Sequence, residues 1–335
     1  MYKMSDPNQT KGKEHYRLYE QKVKDVISKA LSPSPVTNVV LVAVGTYAEK
    51  FLKDVLKNNN GLLKTLLMGT FVEQKQLIDD VERDLAIEET KTPGTRAYFH
   101  EIMKKVFVKG MYENEKLFDK GDHVRRVDNE ICPYCGRNYI YFAYHPTRSN
   151  KNTMVKPCID HFLPKDQYPY LAMCYYNLIP SCTGCNNSPC KWTNNPIGEA
   201  RTHEYLMHPY EFDSNKISFG YIPTSKLYDR KSVKVKMDCA NSDLDEGYKK
   251  WLNLDQFYEK HNSEVCKMYV QLMALQKSYQ TFDKNSFTSI PDSFFEELPE
   301  MVFGFKLGED RASEELMYKF KREVFLQMKD ELKSM

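Results

Sequence analysis

The sequence predicts an α+β protein, with mainly helical N- and C-terminal regions around a small metal-stapled module. Three observations carry that prediction. Apolar residues recur at helical spacing before position 120 and again after position 243. Between Val127 and Tyr210 those periods vanish, and seven of the nine cysteines fall there among many Pro and Asn. Past Phe212, ISFGYI (217–222) and VKVKM (233–237) alternate as short strands do.

In order along the chain, KGKEHYRLYEQKVKDVISKA (11–30) places Tyr16, Tyr19, Val23, Val26 and Ile27 on one helix face. SPSPVTN (32–38) breaks it. A second helical pattern runs from Thr46 to about Leu67, interrupted by NNNG (58–61), and two more cover 71–89 and 96–120 on either side of TPG (92–94). After the cysteine-rich stretch and the two short strands, helices are expected over 243–282 and 309–333. The domains expected are a helical region over 1–122, the module over 123–215, and a hairpin with a helical region over 216–335.

Composition narrows the class. The chain has 335 residues, 41% hydrophobic and 28% charged, with a net charge of +2, which neither demands nor excludes a polyanionic partner. MYKMSDPNQTKGKEHY lacks the apolar core of a signal peptide, and NVVLVAVGTYA (38–48) is far shorter than the roughly 20 apolar residues of a membrane span. Nine cysteines without an export signal read as reduced thiols and metal ligands, which places the protein in the cytoplasm and argues against a disulfide-rich secreted fold.

Cys132-Pro-Tyr-Cys135 and Cys182-Thr-Gly-Cys185 are two knuckles, each able to offer two thiolates to one tetrahedral zinc. Gly136 supplies the small residue that the first turn needs. The 46 residues between the pairs exceed the usual ribbon spacing, so something sizeable sits between them. Cys158, Cys174, Cys190, Cys239 and Cys266 have no partner at ligand spacing.

The inserted segment contains Asp160 beside His161, at the end of the expected strand VKPCID (155–160). Phosphodiester hydrolysis needs a base to deprotonate water and a cation to offset the charge that grows on phosphate. A histidine suits the first need, and an Asp carboxylate with an Asn amide oxygen suits magnesium or manganese. Neighbouring strand residues face opposite ways, so Asp160 and His161 can share a site only if the strand ends there, as Pro164 suggests. Asn177 is expected to open a second strand, NLIPS, and Asn186 to start a short helix toward Lys191. Pro189 interrupts that helix, which leaves Asn187 as an alternative ligand to Asn186.

CPYC (132–135), DHFLPK (160–165), NLIPSCTGCN (177–186) and Lys191 together resemble the HNH (ββα-metal) endonuclease family, in its four-cysteine zinc-stapled branch. The resemblance covers about 60 residues. It implies that His161 is the general base, that Asp160 and Asn186 bind a catalytic Mg²⁺ or Mn²⁺, and that Asn177 braces the loop carrying the base. The four cysteines would hold a structural Zn²⁺. HPY (208–210), the strand pair and LDQFYEKHN (254–262) look like the downstream arrangement of bacterial anti-phage defence HNH nucleases (Septu-like). The resemblance also implies an ATPase partner from the same locus, since the chain has no phosphate-binding loop of its own. The helical arms would form a homo-oligomer or dock that partner.

Between Ile131 and Pro196 six basic residues, Arg137, Arg148, Lys151, Lys156, Lys165 and Lys191, face only Asp160 and Asp166. Interleaved with Tyr139, Tyr141, Phe142 and Tyr144, they suit a nucleic-acid backbone. A second basic cluster, Lys226, Arg230, Lys231, Lys234 and Lys236, either extends that groove or decorates an exposed hairpin. DNA is the expected substrate. RNA cleavage needs the same residues, and a catalytically silent zinc-stapled binding or scaffold module is the alternative from another class.

Overall fold

A computed structural model describes residues 1–34, 41–57, 61–141, 143–144, 153–155, 157–223, 233–282, 292–307 and 315–334. Its N-terminal region is helical: α1 (Thr10–Leu31), α2 (Tyr47–Leu56), α3 (Gly61–Met68), α4 (Phe71–Lys91) and α5 (Thr95–Met103). On α1 the buried positions His15, Tyr19, Val23 and Ile27 fall four apart, the one-face spacing that packs it against α2 and α3. Thr46 caps α2, and Thr70 with Glu73 forms a reciprocal capping box on α4.

The helix expected over 96–120 departs from that reading. α5 widens into π-type turns over Lys104–Tyr112, and the chain then turns until α6 (Lys120–Val127). α6 runs through the 122/123 position taken as a domain boundary.

Three two-stranded antiparallel sheets follow among the described residues. β1 (Ala143–Tyr144) pairs with β2 (Thr153–Val155), and β3 (Cys158–His161) pairs with β4 (Leu178–Ser181). A single helical turn, α7 (Thr183–Asn186), follows β4 and packs on β3. β5 (Ile217–Pro223) pairs with β6 (Val233–Cys239), and both alternate buried and exposed residues as their sequences predict.

The long helix expected over 243–282 is broken. A short α8 (Ser242–Leu244) passes into π-type turns to Trp251, and Asn253 in a left-handed conformation separates these from α9 (Leu254–Glu259). Next come α10 (Asn262–Phe282), α11 (Asp292–Leu298) and α12 (Tyr318–Ser334). α12 begins later than the expected 309, after a turn at 315–317. It covers the edge of β5. Gln327 accepts from Tyr221 N and donates to Tyr221 O, and Glu323 accepts from Phe219 N, so backbone groups an edge strand leaves open are satisfied.

Both helical regions grip the module. Gly12 on α1 lies so close to Tyr176 that an added Cβ would sit 2.8 Å from its hydroxyl. From the other side, Tyr258 donates to Cys135 O at 2.7 Å and Met317 N donates to Gly136 O at 2.7 Å. Among the described residues, no helix is long and apolar enough to cross a membrane.

Candidate metal centre and adjoining cleft

The two knuckles meet. The thiols of Cys132, Cys135, Cys182 and Cys185 are all buried and lie within 4.8 Å of one another, with Cys135 and Cys182 Sγ 3.9 Å apart. Around a tetrahedral zinc with Zn–S bonds of about 2.3 Å, sulfurs sit about 3.8 Å apart. The donor set therefore fits one structural zinc. Arg137 N and Asn138 Nδ2 donate to Cys135 and Cys182 Sγ at 3.4 and 3.2 Å, as thiolates require. Hydrogen bonds from the Cys132, Cys135 and Cys185 thiols hold the Cys182 thiol well below its usual range. Gly136 follows Cys135 with φ +65°, where a side chain would be strained.

The second knuckle continues directly from β4, so the cluster is bolted to the β3–β4 hairpin. Asp160 pairs with Ile179 and His161 with Leu178 at the hairpin end closed by the 162–177 connection, opposite the end from which the knuckle continues. The strand stops at His161, and the bend lets both residues line one cleft of about 130 Å³, together with Asn186, Lys165, Tyr112 and Trp192. Asn186 ends the helical turn instead of starting it, because the chain turns extended at Asn187. Asn187 is not among the cleft residues.

Asp160 is 2% exposed, and each of its carboxylate oxygens has one partner, which leaves lone pairs over. Tyr134, the inner residue of the first knuckle, donates to its Oδ2 at 2.5 Å, and Lys191 Nζ lies 3.1 Å from its Oδ1. This corrects one expectation. Lys191 is 0% exposed, with its ammonium committed to Asp160 and to His161 O at 2.9 Å, so it is not a surface contact for phosphate. Burial pushes its ammonium toward the neutral form while Asp160 pulls it back.

His161 is 7% exposed, with its ring edge-on to Tyr112 at 4.4 Å. Its Nε2 is 3.2 Å from Ala172 O. A carbonyl only accepts, so Nε2 carries the proton and Nδ1 is the basic nitrogen. Burial lowers the imidazole to about 3, and Lys165, Lys191 and Lys120 push the same way, so the ring is neutral at pH 7.

Asn177 is fully buried just before β4, at the end of a 3₁₀ turn and not in the strand. Its Oδ1 accepts from Leu163 N at 2.7 Å, and its Nδ2 donates to Leu163 O and Leu171 O. Both ends of the 162–171 stretch are thereby tied.

Three further histidines hold the same connection. His15 of α1, His123 of α6 and His208 direct Nε2 to the carbonyls of Met173, Leu178 and Tyr176 at 2.8, 3.0 and 2.9 Å. His208 stacks on Phe71 and does not line the cleft. Sequence reasoning assigned no role to His15 or His123, since a carbonyl partner leaves no local spacing signal. It also passed over Tyr134, Tyr112 and Trp192. Only Tyr134 carried a hint, being the inner residue of a knuckle.

Of the expected nucleic-acid contacts, Lys165 lines the cleft. Arg137 stacks over Phe257 at 4.3 Å, away from the cleft lining. Arg148, Lys151 and Lys156 lie outside the described residues, as do Lys226, Arg230 and Lys231.

No family model matches the chain, and no solved structure matches it. Among curated proteins, "Protein ea31" of Escherichia phage lambda is 34% identical over 91 residues, a stretch covering 25% of this chain and 25% of that protein.

Proposed function

We propose that the protein is a divalent-metal-dependent HNH endonuclease that hydrolyses phosphodiester bonds in DNA. One observation carries the reading: Asp160, His161 and Asn186 line a single cleft at the end of a hairpin that is tied to a four-thiol cluster. The Asp160 carboxylate and the Asn186 amide are hard oxygen donors suited to Mg²⁺ or Mn²⁺. When bound, such an ion offsets negative charge on the phosphate.

This chain's own residues do the rest. His161, held by Ala172 O in the tautomer with a free Nδ1, accepts the proton of the attacking water. An incoming phosphate raises its low proton affinity by opposite charge. Lys165 supplies positive charge at the cleft. Asn177 keeps the stretch behind His161 in place. The zinc cluster fixes a hairpin too small to hold itself. On this reading the protein is cytoplasmic, works in anti-phage defence beside an ATPase, and associates through its helical regions.

The decisive assay is cleavage of supercoiled plasmid, and of a matched RNA, by zinc-loaded protein with Mg²⁺ or Mn²⁺. Wild type nicks or linearises the DNA, and His161→Ala loses about 10²–10⁴-fold in rate with zinc content unchanged. Equal cutting by both proteins would remove His161 from the chemistry.

A second reading has one observation in its favour. The buried Lys191 ammonium already neutralises Asp160, as a silent scaffold or binding module would have it. That reading gains if zinc-loaded wild type cuts neither nucleic acid with either metal.

A further inference from the structure

Trp192 is 57% exposed, an unusual place for the largest side chain, and it lines the cleft beside Asp160, His161 and Asn186. Its backbone has φ +38°, a left-handed conformation that side chains seldom adopt and that tends to mark functional positions. Both flanks of the turn are bolted down. Lys191 N donates to Cys185 O at 3.1 Å, and the Lys191 ammonium is buried against Asp160 and His161 O. Asn194 N donates to Lys191 O at 2.7 Å, and Asn194 Nδ2 donates to Cys190 O at 2.8 Å. The lysine that grips the cleft's acid therefore also anchors the backbone from which the indole projects.

We infer that Trp192 is a stacking platform for an unpaired nucleobase next to the bond being cut, so that the cleft selects single-stranded or locally opened nucleic acid over intact duplex. The inference rests on the nuclease reading and adds the substrate's form to it. A flat π face on a tethered turn, beside a hydrolytic pair and Lys165, matches the two parts of one nucleotide: base on indole, phosphate at the cation. In a duplex both faces of each base are already stacked, so the platform has nothing to receive. Stacking on an aromatic side chain is worth roughly 5- to 150-fold in affinity, enough to set a preference. The other tryptophan, Trp251, is half-buried against Tyr205 and does not compete for this role.

The test uses zinc-loaded full-length His161→Ala protein, which binds without cutting, and measures affinity for labelled oligothymidylate, oligouridylate and a DNA duplex. The single strands are expected to bind more tightly than the duplex. Trp192→Ala should weaken them about ten-fold, and Trp192→Phe should restore most of that loss, with zinc content constant throughout. The two single strands show whether the sugar matters. Unchanged single-strand affinity in Trp192→Ala, or an equal loss on duplex, would overturn the inference and leave the nuclease reading standing. Absence of binding to any of the three would remove both.

Discussion

The four-cysteine cluster and the Asp160–His161 cleft lie on either side of one tyrosine, and they are built in opposite ways. The cluster is closed: four soft thiols, all buried, close enough to complete a tetrahedron with no position to spare. The cleft is open, lined by oxygen donors and an imidazole, with an exposed indole among its walls. Tyr134 sits inside the first knuckle yet donates to Asp160, so the closed centre positions a residue of the open one. On the proposed reading the difference teaches how a hairpin of four-residue strands would present reactive groups: a zinc-filled cluster would supply the rigidity, leaving the cleft to exchange ligands and water.

The largest break in that comparison is Cys182→Ser. It opens the cluster, and both centres should fail together, seen as lost zinc, a lower melting temperature and no cleavage. Metal analysis beside a thermal melt checks it. Retained zinc and normal stability would mean that the cluster is not what holds the hairpin.

Lys191→Met sharpens the comparison from inside. Removing one partner of a buried ion pair costs about 3–5 kcal/mol, because Asp160 is left uncompensated. Added Mn²⁺ should recover more of that loss in the variant than it adds to wild type, since a divalent ion offers Asp160 the missing charge. Denaturant unfolding with and without Mn²⁺ reads both effects.

Acid should loosen the connection between β3 and β4. Burial lowers His123 to about 4 and His208 to about 3, and holds His15 well below its usual value. The unfolded chain takes up these protons near pH 6.5, while the folded chain resists them. Stability is therefore whole above about pH 6.5 and falls as pH drops toward 4, by about 3 kcal/mol from His123 alone. Unfolding followed across that range should flatten in His123→Gln, whose amide can still donate to Leu178 O.

The smallest effect is expected from Asn138→Ala. It removes the donor to Cys182 Sγ and should cost about 1 kcal/mol, with the zinc kept.

Some of this architecture is legible in the sequence because it is local. Cys132 and Cys135 announce themselves by spacing, as do Cys182 and Cys185, and β5 and β6 by alternation. The adjacency of Asp160, His161 and the strand end was readable for the same reason. What is set by tertiary contact was not. Lys191 reads as a surface cation until its partner, 31 residues earlier, is brought beneath it. Asn186 was expected to open a helix, but its one turn ends there. The widened turns after Met103 and the left-handed break at Asn253 escaped notice because apolar spacing continues through both. The histidines that hold carbonyls 173, 176 and 178 come from positions 15, 208 and 123, and no window of sequence contains them together.

The most direct test of two unlike centres is to count and type the metals. Zinc analysis and Mn²⁺ paramagnetic resonance on wild type and Asp160→Asn should give one tightly held zinc in both proteins, and a weaker Mn²⁺ site in wild type that is lost in the variant. No Mn²⁺ site in wild type, or an equal one in Asp160→Asn, would contradict the assignment of the cleft as a metal-dependent centre.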